Sequence, residues 1–459
     1  PATITAGGDP TAGAKTITLS PSLGSAITWP TGVAWNGGSA PTLLGANSYS
    51  KTGQVFNLVT ADGGTTWYGY EEVNNNNLQI NTLWGTGSNY QGELGLNSVN
   101  ADDSGQSSPT QIPGSTWVME SNKMGFTYTR SQILKKSDGT LWAWGYNNNG
   151  TLGQNTQGDN AKISSPAQIP GTTWAIGASA KSTVFSKTDG TLWSWGAGHA
   201  GVLGVNQAAN IEYSSPVQIP GTTWPTSNSD GMKLALSYSY ASVSAIKTDG
   251  TLWSWGYGGR GMNGQNNNTY YSSPTQIPGT TWKSVAIGRM YKLAIKTDGT
   301  LWTWGSNSHG GLGNNEQSGG SGADYRSPIQ VPGTTWASVT AGFNVSFATK
   351  TDGTLWTWGT NEYGQFGLNL GHDVGRSSPV QIPGTTWNIG NFGGTGGDNS
   401  SVMWTKTDGT LWAWGRGTYG VLGQNSVVAY SSPVQIPGTD WSGVSSVGYS
   451  AHAFKAYNP

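Results

Sequence analysis

The chain has 459 residues, enough for one large domain or two to three ordinary ones, yet only 10% of them are charged, against roughly 25% in ordinary soluble domains. Polarity comes from Thr, Ser, Asn and 71 Gly; 22 Lys plus Arg against 23 Asp plus Glu leave a net charge of -1, so nothing here would hold a phosphate backbone and nucleic acid is excluded as the expected partner. Cysteine is absent, which excludes disulfides, zinc-thiolate sites and thiol nucleophiles together, and no run of about 18 apolar residues predicts a membrane insertion.

The opening "PATITAGGDP" has neither the basic region nor the apolar core of a signal peptide, and a start at Pro1 rather than Met is expected of a processed or partial product. In the first 76 residues, "ITWPTGVAWNGGSAPTL" (27–43) and "VFNLVTADGGTTWYGYEE" (55–72) are β-patterned, with turn signals at Asn36-Gly37 and Asp62-Gly63. This segment carries none of the repeats that follow it.

From there the sequence is periodic. D-G-T-L-W-x-W-G recurs at Asp138, Asp189, Asp249, Asp298, Asp352 and Asp408, spaced 49 to 60 residues apart. A second element, "SSPxQIPGTTW" with small changes, ends seven times, at Trp117, Trp174, Trp224, Trp282, Trp336, Trp387 and Trp441. Between them lies G-x-L-G-x-N, first at Gly92–Asn97 and last at Gly420–Asn425, with Asn263 in place of Leu at Gly261–Asn266 and Phe366 in place of Leu at Gly364–Asn369. Asp-Gly suits the tight two-residue turn of a hairpin, "TLWSWG" alternates as a strand, and Pro-Gly in "QIPGTT" marks another turn beside an edge strand. Each repeat therefore predicts about four short antiparallel strands, and helical periodicity stands out nowhere.

The chain ends are complementary. The first unit begins at "NNNNLQINTLWGTG" (74–87) with an "LWG" strand but no preceding partner, while the last, "WSGVSSVGYSAHAFKAYNP", has partner strands but no "DGTLWxWG" to follow. Joining them makes a composite blade that closes a ring and removes exposed sheet edges. The expected fold class is all-β: a seven-bladed β-propeller over residues 77–459 with composite-blade closure, preceded by a small β-rich N-terminal module over residues 1–76 that attaches or connects it.

These motifs resemble the regulator of chromosome condensation repeats, whose blades carry D-G-x-h-[WY]-x-W-G followed by G-x-L-G. The resemblance covers about residues 77 to 459 and implies the same seven-bladed propeller with composite closure. It implies less about activity, since the scaffold serves guanine-nucleotide exchange, inhibition of secreted β-lactamases and several unassigned roles. The family's repeated histidine is matched only by His452, and the arms and basic surfaces used for chromatin and GTPase contact have no counterpart. The first 76 residues resemble a small β module found near the ends of phage tail-fibre and other virion proteins, which implies an attachment role.

Of the 24 Trp, thirteen lie in the "LWxWG" strands and seven end the "QIPGTTW" element, so they are expected to fill the wedge between sheets; Trp404, in a stretch that departs from the repeat, is the expected exception. Lys187, Lys247, Lys296, Lys350 and Lys406 each precede Thr-Asp-Gly and are expected as solvated turn charges offset by the aspartates. His309 among serines lacks a G-x-S-x-G elbow, His372-Asp373 offers two ligands where a metal needs three, and "NADDSGQ" lacks calcium-loop spacing, so no catalytic residue, cofactor or metal is expected. What varies between repeats is the loop after G-x-L-G-x-N. Its candidate partner contacts are Asp102, Asp103, Tyr270, Tyr325, Arg326, His372, Asp373 and Arg376, with Trp404 added; Tyr213, Tyr271 and Tyr430 directly precede SSP, and Tyr270 and Tyr325 break that register.

The function expected from these readings is a non-enzymatic virion structural or attachment protein of a phage, located on the virion or extracellular. Its partners would be a protein or glycan on a cell surface or other virion proteins, with homo-oligomerisation through the N-terminal module. The alternative is a secreted bacterial propeller acting as adhesin or inhibitor. A lyase or glycan hydrolase using His309, His372 and Asp373 is a third reading.

Overall fold

The computed structural model describes residues 15–18, 33–35, 55–60 and 67–72 of the first unit. Between residues 84 and 455 it describes all but 93, 100–104, 115–116, 119–130, 159, 208–209, 230, 238, 317–323, 372–373, 395–400, 418–421, 425, 440 and 448–449. The chain divides into two compact units, Pro1–Gln79 and Ile80–Pro459. In the first, Lys15–Thr18, Val55–Thr60 and Trp67–Glu72 form an antiparallel sheet, with Val33–Trp35 added parallel to Trp67–Glu72. Asp62-Gly63 falls between the two strands of its hairpin.

In the second unit the repeats become six four-stranded sheets, each an antiparallel meander in chain order. The second sheet is typical: Trp174–Ser179, Ser182–Lys187, Leu192–Gly196 and Tyr213–Ile219. The first runs from Trp117 to Gln168, the third from Leu234 to Ile277, the fourth from Trp282 to Val331, the fifth from Trp336 to Ile382 and the sixth from Trp387 to Ile436. Two-stranded sheets flank them, Trp84–Ser88 with Gly105–Gln111 and Trp441–Val447 with Ser450–Lys455. The "LWxWG" strand is third in each sheet. In it Leu192, Ser194 and Trp195 are buried and Trp193 is half-buried, so both faces are covered, as expected of a strand inside a stack of sheets.

The hairpin before that strand departs from the expected two-residue turn. Gly139 N–H donates to Lys136 O at 3.0 Å and Lys136 N–H to Thr140 O at 2.9 Å, which leaves three residues in the loop. Gly139 takes φ 79° while Asp138 stays at negative φ, the geometry of a type I turn closed by a left-handed glycine. Asp serves as an acceptor instead: Asp138 Oδ1 receives Thr140 N–H at 2.9 Å and Thr140 Oγ–H at 2.6 Å, and Thr140 Oγ1 receives Trp142 Nε1–H at 2.8 Å. The same chain of bonds recurs at Asp189, Asp249, Asp298, Asp352 and Asp408.

Consecutive sheets are tied by the G-x-L-G-x-N loop. Trp195 Nε1–H donates to Thr151 O of the preceding sheet's loop at 2.8 Å, and Trp255 to Val202 O, Trp304 to Met262 O, Trp358 to Gly311 O and Trp414 to Gln365 O at 2.8–3.0 Å. Asn155 N–H donates forward to Ser214 O at 2.7 Å, and five more repeats, from Asn97 to Asn369, make the same bond to the next fourth strand. The first glycine must be glycine: Gly150 has φ 73°, and a Cβ there would stand 2.7 Å from Ser214 Cα. The buried apolar clusters follow the same rule, each drawing on two successive sheets: Trp174, Phe185 and Trp195 join Ile133 and Leu152, and Trp255 joins Val202 and Leu203.

The turn aspartates yield a pH signature. The Thr140 hydroxyl, then its N–H, hold Asp138 below its ordinary 3.8, and the equivalent bonds do so at the other five. A depressed carboxylate stabilises the fold above its unfolded value and loses that contribution as pH falls through the folded one. Asp249→Asn/Asp408→Asn is expected to be less stable than the parent at pH 7, the gap closing as pH drops below 3.8; urea midpoints from pH 7 to 2 measure it, and a pH-independent gap would refute it.

Candidate functional site

Antiparallel order sends alternate connections to opposite ends of a sheet. The Lys-Thr-Asp-Gly turns and the links to the next sheet share one edge; the loops joining strands one to two and three to four share the other.

The turn edge is nearly the same in every sheet. Lys136 Nζ lies 4.9 Å from the Trp117 ring and 4.0 Å from Trp142, and Lys187, Lys247, Lys296, Lys350 and Lys406 each stand over the equivalent two indoles at 4.2–4.8 Å. The two rings of each clamp meet edge to face at 6.0–6.4 Å where resolved, as Trp117 with Trp142 and Trp336 with Trp356. The lysines are thus not simply solvated turn charges. They are half-buried parts of the wall, because an ammonium on a long apolar stem gains more from two π faces, about 0.5–2 kcal/mol each, than from an exposed carboxylate.

The loop edge differs from sheet to sheet. In the third, Tyr240, Tyr257 and Tyr270 stack in a row with centroids 5.0 and 4.8 Å apart, and burial followed by Tyr270 pushes the Tyr257 hydroxyl up. Arg260 Nη1 meets Asp324 Oδ2 of the fourth sheet at 3.3 Å. Arg289 lies 4.3 Å over Phe343, and Arg416 lies 4.6 Å over Tyr363. Ser308 Oγ and His309 Nδ1 are 2.8 Å apart; burial, then Arg289, hold His309 below its usual 6.5, and Glu362 opposes them. The described members of the chain's six arginines, at 260, 289, 326, 376 and 416, all fall in these loops or in the first two residues that follow them or in the strand they enter.

The candidate contacts separate on this frame. Tyr270 is 51% exposed and heads the tyrosine row. Arg326 and Arg376 are exposed. Tyr325 does not break the register: it pairs with Gly305 as Tyr213 pairs with Gly196 and Tyr271 with Gly256, because Arg326 replaces only the first Ser of SSP and the count to Pro is unchanged. Its hydroxyl donates to Glu316, which pushes it up from its ordinary range. Arg376 fills that same position opposite Gly359. Trp404 is not a contact: it is 1% exposed, packs 6.1 Å from Phe347 of the fifth sheet and donates to Asn388 O at 2.9 Å, since its strand faces the sheet interface at the register of Phe185. Asp102, Asp103, His372 and Asp373 lie outside the described residues.

Sequence reading missed a pinning asparagine. Asn147 is buried, accepts Leu152 N–H at 3.0 Å and donates to Thr156 O at 2.8 Å; Asn89, Asn307 and Asn361 act alike. The signal was an N-x-x-G tetrad ahead of Leu. Where Gly258 replaces this Asn, Asn263 replaces Leu and makes the loop bond itself, to Thr269 O at 3.0 Å. Among the described residues no three His, Asp or Glu gather to hold a metal, and no helix is long and apolar enough to cross a membrane.

Residues 138–180, 298–349, 352–388 and 408–451 match the family described as the regulator of chromosome condensation (RCC1) repeat, and 336–365 match a second model of that repeat. This chain carries RCC1 repeats. The human E3 ubiquitin-protein ligase HERC2 is 26% identical over 307 residues, 65% of this chain but 6% of HERC2, so the chain spans a small part of that relative. The ultraviolet-B receptor UVR8 of Arabidopsis thaliana is 25% identical over 79% of this chain and 78% of its own. Among solved structures, Prp20p from Saccharomyces cerevisiae, described with its binding properties to Gsp1p and histones, superposes with a TM-score of 0.63 at 18% identity, covering 82% of this chain and 92% of Prp20p. The repeat-bearing unit therefore has a β-propeller fold. These relatives are eukaryotic, which overturns the expected phage virion protein and its secreted bacterial alternative.

The third and fourth sheets of the propeller also meet through a buried lysine amine. Lys292, fully buried, reaches Ser254 Oγ at 2.6 Å, Ser244 Oγ at 2.9 Å and Val243 O at 3.3 Å, and Ser254 joins Asn263 Oδ1 at 3.0 Å. Burial holds its amino group well below 10.5, so the unfolded chain binds the extra proton and stability rises with pH up to that value. Lys292→Met is expected to match or exceed the parent in urea at pH 7, its advantage shrinking towards pH 10; a loss above about 3 kcal/mol at pH 7 would refute this reading.

Proposed function

We propose that this chain is a non-catalytic, seven-bladed propeller that recognises a partner protein through its loop edge. The observation that carries the reading is the contrast between the two edges. Six sheets repeat one Lys-Trp-Trp clamp at the turn edge, whereas the loop edge gathers arginine-aromatic pairs and exposed tyrosine that no two sheets share, the residue types enriched in binding hot spots. Protein binding by Prp20p supports it. HERC2's ligase activity belongs to a protein of which this chain matches a small part.

We infer seven-fold closure by extending the same bonds to the two ends of the repeat series. The sequence at 420–425 repeats the G-x-L-G-x-N motif whose other copies bond an SSP strand, Ser107-Ser108-Pro109 lies in such a strand, and among the described residues Ser450–Lys455 pairs only with Trp441–Val447 where the complete sheets add an "LWxWG" strand like Trp84–Ser88. By the register of the complete sheets, Ala451 stands opposite Thr86, as Thr183 stands opposite Trp195. In this cysteine-free chain, Ala451→Cys/Thr86→Cys is expected to form an intramolecular disulfide under mild oxidation, read by non-reducing electrophoresis and peptide mass; its absence, with the fold intact, rejects the closed ring.

For recognition, a partner captured from source cells on the parent chain should bind Tyr270→Ala/Arg416→Ala at least 10-fold more weakly, with melting temperature unchanged, and Lys187→Ala normally. Loss with Lys187→Ala and retention by the loop-edge variant would assign recognition to the opposite edge.

A further inference from the structure

One cavity of about 200 Å³ opens at the loop edge, and three successive sheets contribute to it: Arg260 from the third, Arg289, Ser306, Ser308 and His309 from the fourth, and Asn344 from the fifth. Its donors are held in place before any ligand arrives. The Arg289 guanidinium carbon lies over the Phe343 ring at 4.3 Å, its backbone N–H donates to Phe343 O at 3.1 Å, and among the described residues no carboxylate pairs with it. Arg260 is anchored on one side by Asp324 at 3.3 Å. Ser306 Oγ–H donates to Ser308 Oγ at 3.3 Å, and Ser308 Oγ meets His309 Nδ1 at 2.8 Å, so with a neutral ring the pair keeps one donor for a ligand, Nε2–H or the Ser308 hydroxyl. The floor is closed chemically: Tyr291 hydroxyl is buried, donates to Val345 O at 2.9 Å and accepts from Ser346 at 3.0 Å, so it has nothing left to offer a ligand. Asp324 and Glu362 are the acids nearby; the first is occupied by Arg260, and Glu362 is an exposed residue that does not line the cavity.

We propose that this cavity is a binding site for a phosphate monoester, with Arg289 and Arg260 as the charged forks and the Ser308–His309 pair and the Asn344 amide as one neutral donor each. Two guanidiniums, the one donor of the Ser308–His309 pair and an amide exceed what the two oxygens of a carboxylate can accept, and match a dianion with three terminal oxygens. Stacking on Phe343 fixes one fork in advance, which lowers the ordering cost of binding. The inference stands on the cavity and does not depend on the partner reading. The ester arrives either as a free phosphorylated small molecule or as a phosphorylated side chain of a protein.

The test is calorimetric or NMR titration of the full chain at pH 7 with inorganic phosphate, phenyl phosphate and a phosphoserine peptide. Saturable one-site binding is expected, at least 10-fold weaker in Arg289→Gln and weaker in Arg260→Gln, with melting unchanged. Lys187→Gln, which removes the same charge at the opposite edge, should bind as the parent does. A peptide preferred over phenyl phosphate supports the site with a protein carrier, and the reverse supports it with a small molecule. No saturable phosphate binding, equal binding of acetate, or full binding by Arg289→Gln would overturn the assignment.

Discussion

The second unit depends on a bond pair that always points forward in the chain. Five of the G-x-L-G-x-N loops present one carbonyl to the next sheet's buried indole, as Thr151 does to Trp195, and one backbone N–H to the next sheet's outer strand, as Asn155 does to Ser214. The indole and the carbonyl it meets are both buried, so leaving them unpaired would cost about 1–3 kcal/mol. The glycines, the tetrad asparagine and the left-handed Asn that ends the loop serve to bring those two groups within reach. Sheet packing is then fixed, and with it the position of every loop on the opposite side.

This explains what the sequence made legible. Strand number, order and the wall role of Trp195 and its equivalents were readable because alternation and turn residues report local geometry, and because recurrence in register marks a residue as serving its repeat. Contacts between sheets were not. Asp189 and Lys187 sit two residues apart and read as an offsetting pair, yet the aspartate turns to Thr191 and the lysine to two tryptophans, one of them, Trp174, at the start of the sheet's first strand. Trp404 looked exceptional because its flanks depart from the repeat, but which face of a strand meets a neighbouring sheet is a property of register. Tyr325 was misplaced by one substituted serine.

The two edges of the propeller divide the labour. At the turn edge each ammonium is held by rings and each carboxylate by a threonine, so charges that would ordinarily attract partners are already engaged. At the loop edge the scaffold leaves side chains standing on one another without engaging them fully, as Arg289 does on Phe343 and Tyr270 on Tyr257. The polar Lys292 cluster between the third and fourth sheets sits next to the most elaborated part of that edge. There Asn263 has taken over the loop bond that Gly258 cannot make, and its own oxygen ties Ser254 to the lysine.

Because the forward bond joins unlike surfaces, each unit carries both halves of the joint: a loop that gives and a strand that receives. A duplicated unit would fit between any two neighbours without a new interface being invented, which is how head-to-tail association behaves between separate chains. Such a series has two fates, to close on itself or to keep adding members. A last loop that failed to find its receiving strand in its own chain would meet an equally good one in another copy, so the length of the series is what separates a self-contained molecule from a filament.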